Sequence, residues 1–309
     1  MEQYELLILG AGPAGLTAAV YARRAGMSVL VLEKGAIGGQ ITSTNEVENW
    51  PGTKKISGYD LATSLQEHAE SFGAEIRIAE IQGLDLSGDR KIVRTDHGEV
   101  SADALIIATG ARHSHLGVPG EAELTGRGVS YCAICDGPFF RNEDIAVVGG
   151  GDMAVEEAEY LTRFAGKVYL VHRRDQLRAA DMIAKRALAN PKIEPVWNTV
   201  VTAVNGSSGV ESLSVKNIAT NEEKQIAATG VFIFIGTLPN TEMLKGSGIA
   251  VDAKGWVVAD HATLQTSIPG VFAAGDVRET SLRQMVTAAA DGARAAMSAY
   301  AYFSGSERK

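Results

Sequence analysis

The hexapeptide Gly10-Ala11-Gly12-Pro13-Ala14-Gly15 follows directly on the aliphatic run Glu5-Leu6-Leu7-Ile8-Leu9, and these two stretches decide the fold. A continuous apolar run reads as a strand whose two faces are both covered by helices, as in a parallel sheet. The glycines fit G-x-G-x-x-G. The first makes the tight turn, the second admits a pyrophosphate to the N-terminus of the following helix, and the third lets helix and strand pack closely. An alanine-rich helix is expected to about Ala25, with Gly26 ending it. A second strand from Ser28 to Leu32 then delivers Glu33, 18 residues after Gly15 and suited to accept a hydrogen bond from an adenosine ribose. Strand, turn, helix, strand and acid in register read as a βαβ dinucleotide-binding unit.

The pattern recurs at Asp144-Ile-Ala-Val-Val-Gly149. Gly149-Gly150-Gly151-Asp152-Met153-Ala154 fits G-x-G-x-x-A, a helix is expected through Glu156, Glu157 and Tyr160 to about Ala165, and a strand from Val168 to Val171 follows. Glu33 lies 23 residues beyond Gly10, and the same step from Gly149 lands on His172, followed by Arg173, Arg174 and Arg178. The chemistry is inverted. An acceptor for a free hydroxyl is replaced by donors suited to a 2′-phosphate, which favours NADPH over NADH.

Two further strands, Ala104 to Gly110 (through Thr109) and Gly230 to Gly236, are apolar runs ending in glycine and read as the same strand position in two related domains. Pro269-Gly-Val-Phe-Ala-Ala-Gly275-Asp276-Val277 is a third, placing Asp276 to hold a ribityl hydroxyl, with Arg283-Gln284-Met285 and a long alanine-rich helix after it. Because this FAD-like signature comes last, the expected architecture is α/β, with two Rossmann-like domains and one inserted into the other. The expected boundaries are 1–112 and 242–309 for an FAD-binding domain and 113–241 for an NADPH-binding domain.

Composition supports this reading and excludes others. At 309 residues the chain suggests two domains, and 45% hydrophobic with 21% charged residues is ordinary for a globular enzyme. Its 34 glycines fall in clusters, without the period of three that collagen requires. A net charge of −8 argues against a nucleic-acid partner. The start Met1-Glu2-Gln3-Tyr4-Glu5 has no basic leader and no apolar run reaches a membrane span, so a cytoplasmic protein with no membrane association is expected.

The two cysteines, Cys132 and Cys135, stand in Tyr131-Cys132-Ala133-Ile134-Cys135-Asp136-Gly137. Zinc would need two more ligands, and His113 and His115, one residue apart, do not have the usual spacing, so no metal is expected. In a reducing compartment a C-x-x-C at the first turn of a helix is redox chemistry, because the helix dipole lowers one thiol pKa. Beside a flavin and a nicotinamide it completes a relay: hydride to flavin, then electrons to a disulfide. Asp136 is positioned as the acid and base that balances the protons. A dithiol oxidase using FAD and C-x-x-C on a small thiol is the alternative, and the His172 to Arg178 cluster speaks against it.

These stretches, with Gly39-Gln40, Glu46 to Gly52, Gly126 to Ser130 and Gln265 to Val277, resemble the low-molecular-weight, bacterial-type thioredoxin reductases over essentially the whole chain. The resemblance implies FAD held by the first glycine turn with Glu33, Lys34, Gly39, Gln40, Asn49, Asp276, Arg283 and Gln284. It implies NADPH held by the second glycine turn and the His172 to Arg178 cluster. By the same resemblance Cys135 lies against the flavin, Cys132 attacks the disulfide of thioredoxin, and Asp136 supplies the proton. A homodimer with a swinging NADPH domain is implied too. Four positions depart from, or sharpen, the pattern. Ile134 replaces the usual Thr or Val, and Met153 replaces a Ser or Thr that contacts pyrophosphate. Pro138 precedes Phe139 and Phe140, a candidate docking pair, and Arg127 is a candidate charge contact.

Overall fold

The computed structural model describes residues 1–43 and 47–305. Glu46, part of the stretch that carries the resemblance, lies outside them. The chain forms two compact units: Met1–Arg112 with Leu238–Lys309, and His113–Thr237.

In the first unit the strand Glu2–Leu9 is central, with parallel neighbours Val29–Glu33 and Gly98–Ile107 on its two sides. The ten-residue strand Gly98–Ile107 serves two partners along its other edge. Its first half pairs antiparallel with Lys91–Thr95, and its end pairs parallel with Val271–Ala273. Leu6 to Leu9 are fully buried, as a strand covered on both faces requires. One cover is a pair of alanine-rich helices, Pro13–Arg24 and Met285–Phe303. Their alanines and glycines permit backbone contact: a β-carbon on Gly292 would lie 2.0 Å from the carbonyl oxygen of Ala14. The helix starting at Pro13 ends at Arg24, and Gly26 beyond it has a φ of +86°.

The second unit repeats the device. Asp144–Gly149 is flanked by the parallel strands Lys167–Val171 and Gly230–Phe234, which makes Gly230–Phe234 the counterpart of Gly98–Ile107. Val129–Ser130 pairs beyond Gly230–Phe234 and Ile193–Val196 beyond Lys167–Val171, so the five-stranded sheet is parallel throughout. The crossover helix runs Asp152–Leu161 and stops short of the Ala165 expected from sequence; the Phe164 amide closes a turn there by donating to the Leu161 carbonyl at 3.0 Å, and the Phe164 carbonyl accepts the amide of Asn142. An antiparallel meander, Thr199–Asn205, Ser212–Asn217 and Glu223–Ala227, covers part of this sheet's apolar core.

Candidate active site and dinucleotide sites

Gly12 caps the helix Pro13–Arg24 without a side-chain acceptor, so the amides of its first turn are left to a ligand. The space in front is open: a β-carbon on Gly12 would meet nothing closer than the carbonyl oxygen of Gly38, at 4.0 Å. Gly10 and Gly15 face inward instead. A β-carbon on Gly15 would fall 1.9 Å from the oxygen of Gly10, and Gly10 itself has a φ of +105°. Glu33 closes the turn, its two carboxylate oxygens accepting from the amides of Ala11 and Gly35, each at 2.8 Å. Lys34 next to it is exposed.

The same unit assembles the other residues expected around a flavin. Asn49 Nδ2 donates to Gln284 Oε1 at 3.1 Å, and Gln284 in turn caps the helix that begins at Met285. Gln40 donates to the carbonyl of Ala111, while Thr109 and Asn240 exchange two hydrogen bonds of 2.7 and 2.8 Å. Gly39, with a φ of +61°, lies against Gly12, and Gly110 is a second left-handed glycine at the end of the strand. Burial pushes the Asp276 carboxyl up to about 6, with Arg283 opposing and Asp291 reinforcing the shift. Arg283 stacks over Trp256 at 4.0 Å, and its buried Nε has no partner among the described residues. An uncapped glycine turn, a poised carboxyl and an orphaned guanidinium N–H fit a flavin dinucleotide.

Two residues that brace this site escape sequence reading. Asp291 Oδ2 accepts from the Gly275 amide at 3.2 Å and from Arg278 Nε at 2.8 Å, and both side chains are buried. This pair fixes the turn Gly275-Asp276-Val277. The signal was a lone acid inside an alanine run, Ala288-Ala-Ala-Asp291-Gly292.

At the second turn Gly151 is again a cap with no side-chain acceptor, and the nearest atom to its missing β-carbon is Arg178 Nη2 at 4.0 Å. Arg173, Arg174 and Arg178 are exposed, and Arg178 is tied to the turn through its amide, which donates to the carbonyl of Gly150 at 2.7 Å. Three cations beside uncapped helix amides fit a phosphorylated dinucleotide. Asp152 accepts from the amide of Ala180 at 2.7 Å, and Met153 is exposed on the first turn of the helix. His172 differs from its expected role as an outward donor. Its ring is 4% exposed and packs on Gly150, and burial, with the charges of Arg178 and Arg174, lowers its pKa. It is a neutral wedge under the glycine turn, so the positive charge comes from the arginines.

Cys132 and Cys135 are joined in a disulfide with their Cα atoms 5.3 Å apart. Cys132 caps the short helix Ala133–Asp136, its sulfur accepting from the Cys135 amide at 3.2 Å. Burial raises the Asp136 carboxyl above the usual carboxylate range, against a hydrogen bond from Ser130. A partly buried carboxyl whose pKa is raised, directly after a cysteine, is suited to give a proton in thiol chemistry.

Around the disulfide, Phe139 is 45% exposed, whereas Phe140 packs over Gly230 and edge-on against Phe232 at 5.3 Å. Only Phe139 of the pair is free to meet a partner; Phe140 is a staple. Ile134 is exposed, and Arg127 is exposed with its guanidinium on the carbonyl of Glu123. A buried carboxylate, Glu121, accepts from the amides of Leu116 and Gly117 and from the Tyr131 hydroxyl at 2.8 Å, and Tyr131 also meets the His115 ring at 2.8 Å. Among the described residues there is no cluster of His, Cys, Asp or Glu that could hold a metal ion, and no helix long and apolar enough to cross a membrane.

The family pattern described as pyridine nucleotide-disulphide oxidoreductase matches residues 4–292. A thioredoxin reductase of Bacillus subtilis (strain 168) is 47% identical over 300 residues, covering 97% of this chain and 94% of that protein. Among solved structures, a thioredoxin reductase from Streptococcus pyogenes MGAS5005 superposes with a TM-score of 0.94 at 48% identity, covering 98% of each chain. One from Giardia duodenalis gives 0.94 at 37% identity, covering 98% of this chain and 100% of that one.

Proposed function

Since the chain belongs to the pyridine nucleotide-disulphide oxidoreductase family, we infer that it is a thioredoxin-disulfide reductase, passing electrons from NADPH through FAD to the Cys132–Cys135 disulfide and on to the disulfide of thioredoxin. The observation that carries this reading is the disulfide itself: it caps a helix, with the raised carboxyl of Asp136 following Cys135, in the unit that also holds the second glycine turn.

FAD, when bound, supplies the two-electron step between a nicotinamide and a disulfide. The first unit would hold it through the Gly12 turn, Glu33, the Asn49–Gln284 pair, Asp276 and Arg283. The second unit would hold NADPH through the Gly151 turn, with Arg173, Arg174 and Arg178 to meet its 2′-phosphate. Once reduced, Cys132 attacks one sulfur of the thioredoxin disulfide as a thiolate. The departing thioredoxin sulfur takes the proton of Asp136. Cys135 then attacks the Cys132 sulfur of the mixed disulfide and expels the second thioredoxin thiolate. The Cys132–Cys135 bond is restored, and two electrons have passed to thioredoxin. Exposed Phe139, Ile134 and Arg127 form the docking surface in this reading. In this reading the protein works as a homodimer in the cytoplasm.

Anaerobic stopped-flow absorbance tests the chain of transfers. The flavin bleaches on mixing with NADPH, more slowly with NADH, and regains colour when thioredoxin is added. Cys135→Ser keeps the flavin but makes no dithiol, and a Cys132→Ser variant that still reduced thioredoxin would overturn the relay.

A further inference from the structure

Ser130, on the edge strand Val129–Ser130 of the parallel sheet, is 4% exposed and stands two residues before Cys132. Its Oγ is 2.6 Å from Asp136 Oδ2, 3.1 Å from the Cys132 amide nitrogen and 3.3 Å from the Cys132 carbonyl oxygen. A hydroxyl has one hydrogen, and the shorter contact to the carboxyl takes it. The Cys132 amide then donates to the same oxygen, and the Asp136 amide donates back to the Cys132 carbonyl at 3.1 Å. Three hydrogen bonds thereby close a ring through Ser130, Cys132 and Asp136.

We propose that Ser130 is a positioning residue for the dithiol: it fixes the Asp136 carboxyl relative to Cys132 and confines the transferable proton to Oδ1. This rests on the reading of Asp136 as the proton donor. With Oδ2 occupied as an acceptor, a protonated Asp136 carries its hydrogen on the other oxygen, and rotation of the carboxyl breaks the bond to Ser130. The bond also favours the ionised form, so it counteracts burial and keeps the acid strong enough to give up its proton.

The neighbourhood of Asp136 leaves this task to Ser130. The turn Gly137–Phe140 brings Pro138, Phe139 and Phe140, all apolar. The helix Asp152–Leu161, packed against Ala133–Asp136, carries Asp152, Glu156, Glu157, Glu159 and Tyr160. Asp152 is tied to the Ala180 amide, Glu159 pairs with Arg186 at 2.6 Å, and Glu157 is itself driven up by burial and by Glu156. Among the described residues, Ser130 makes the side-chain hydrogen bond that Asp136 accepts.

The test is an infrared difference titration of the Asp136 carboxyl band in the flavin-loaded oxidised protein, assigned with Asp136→Asn. Ser130→Ala raises the midpoint by about one pH unit, a tenfold gain in proton affinity, and Ser130→Thr restores it. In parallel, the basic limb of the thioredoxin-reduction rate moves to higher pH in the Ala variant, and turnover at pH 7 falls about tenfold. A midpoint unchanged by Ser130→Ala overturns the proposal, whether or not turnover falls. Should Ala fail to fold, Val against Thr, matched in shape, makes the same comparison. If no variant reduces thioredoxin, the infrared titration still reads the hold of Ser130 on Asp136, and only the substrate assignment fails.

Discussion

Glu33 Oε2 accepts the amide of Ala11 at 2.8 Å, so the acid at the end of the second strand is bound to the backbone of the turn 22 residues earlier. Its other oxygen is held by the Gly35 amide. The carboxylate is therefore preoriented, with lone pairs left for a ribose. Glu33→Gln loses the charge and one acceptor, and a hydrogen bond to a charged group is worth about 1.5–3 kcal/mol. FAD affinity falls at least tenfold, measured by the fluorescence of released flavin on dilution.

The two glycines of the same turn respond differently. Gly12→Ala meets open space, so the flavin-free protein keeps its melting temperature while FAD binding is lost to the methyl group that fills the cradle. Gly15→Ala drives a β-carbon into the oxygen of Gly10 and costs about 3 kcal/mol of stability. Thermal unfolding with and without FAD separates them; equal melting temperatures for the two flavin-free variants would contradict the division of labour.

The exposed arginines give a nucleotide-selective loss. Arg173→Ala with Arg174→Ala removes two charges suited to a 2′-phosphate, each charge-assisted bond being worth about 1.5–3 kcal/mol. The KM for NADPH rises more than 100-fold and that for NADH changes little. Equal rises for both would remove the 2′-phosphate from the cluster.

Asp276 makes the flavin-free fold sensitive to pH in a defined direction. Its carboxyl titrates at about 6 in the folded chain against 3.8 ordinarily, mainly through burial. The folded state thus holds the proton longer than the unfolded one. The stability this contributes is complete below about pH 4 and is lost as pH rises through 6, on the order of 3 kcal/mol in all. Urea unfolding of flavin-free wild type between pH 4 and 7 shows the decline, and Asp276→Asn flattens it.

Much of this was legible because the glycine turns carry their own geometry. Gly12 and Gly151 head helices in open space, and the step of 23 residues from turn to acid or base is fixed by one turn, one helix and one strand. What sequence could not show was depth. His172 falls at the predicted step and is buried against Gly150, because the absence of a β-carbon there leaves a slot for the ring. Phe139 and Phe140 are adjacent letters that point to opposite fates. The buried pair Arg278–Asp291 and the ring through Ser130 join residues by hydrogen bonds that leave no periodicity behind.

The strand Val271–Ala273 joins the first sheet beside Leu105 to Ile107, although residues 113–237 lie between them in the chain. During synthesis, residues 113–237 emerge complete while the edge of Gly98–Ile107 still lacks that neighbour and the helix Pro13–Arg24 still lacks Met285–Phe303. The inner unit gains its full set of partners first, and the outer one is sealed only once Val271–Ala273 and Met285–Phe303 have followed it. Until then Leu105, Ile106 and Ile107 present an open, aliphatic strand edge, of the kind that pairs with other chains when left bare.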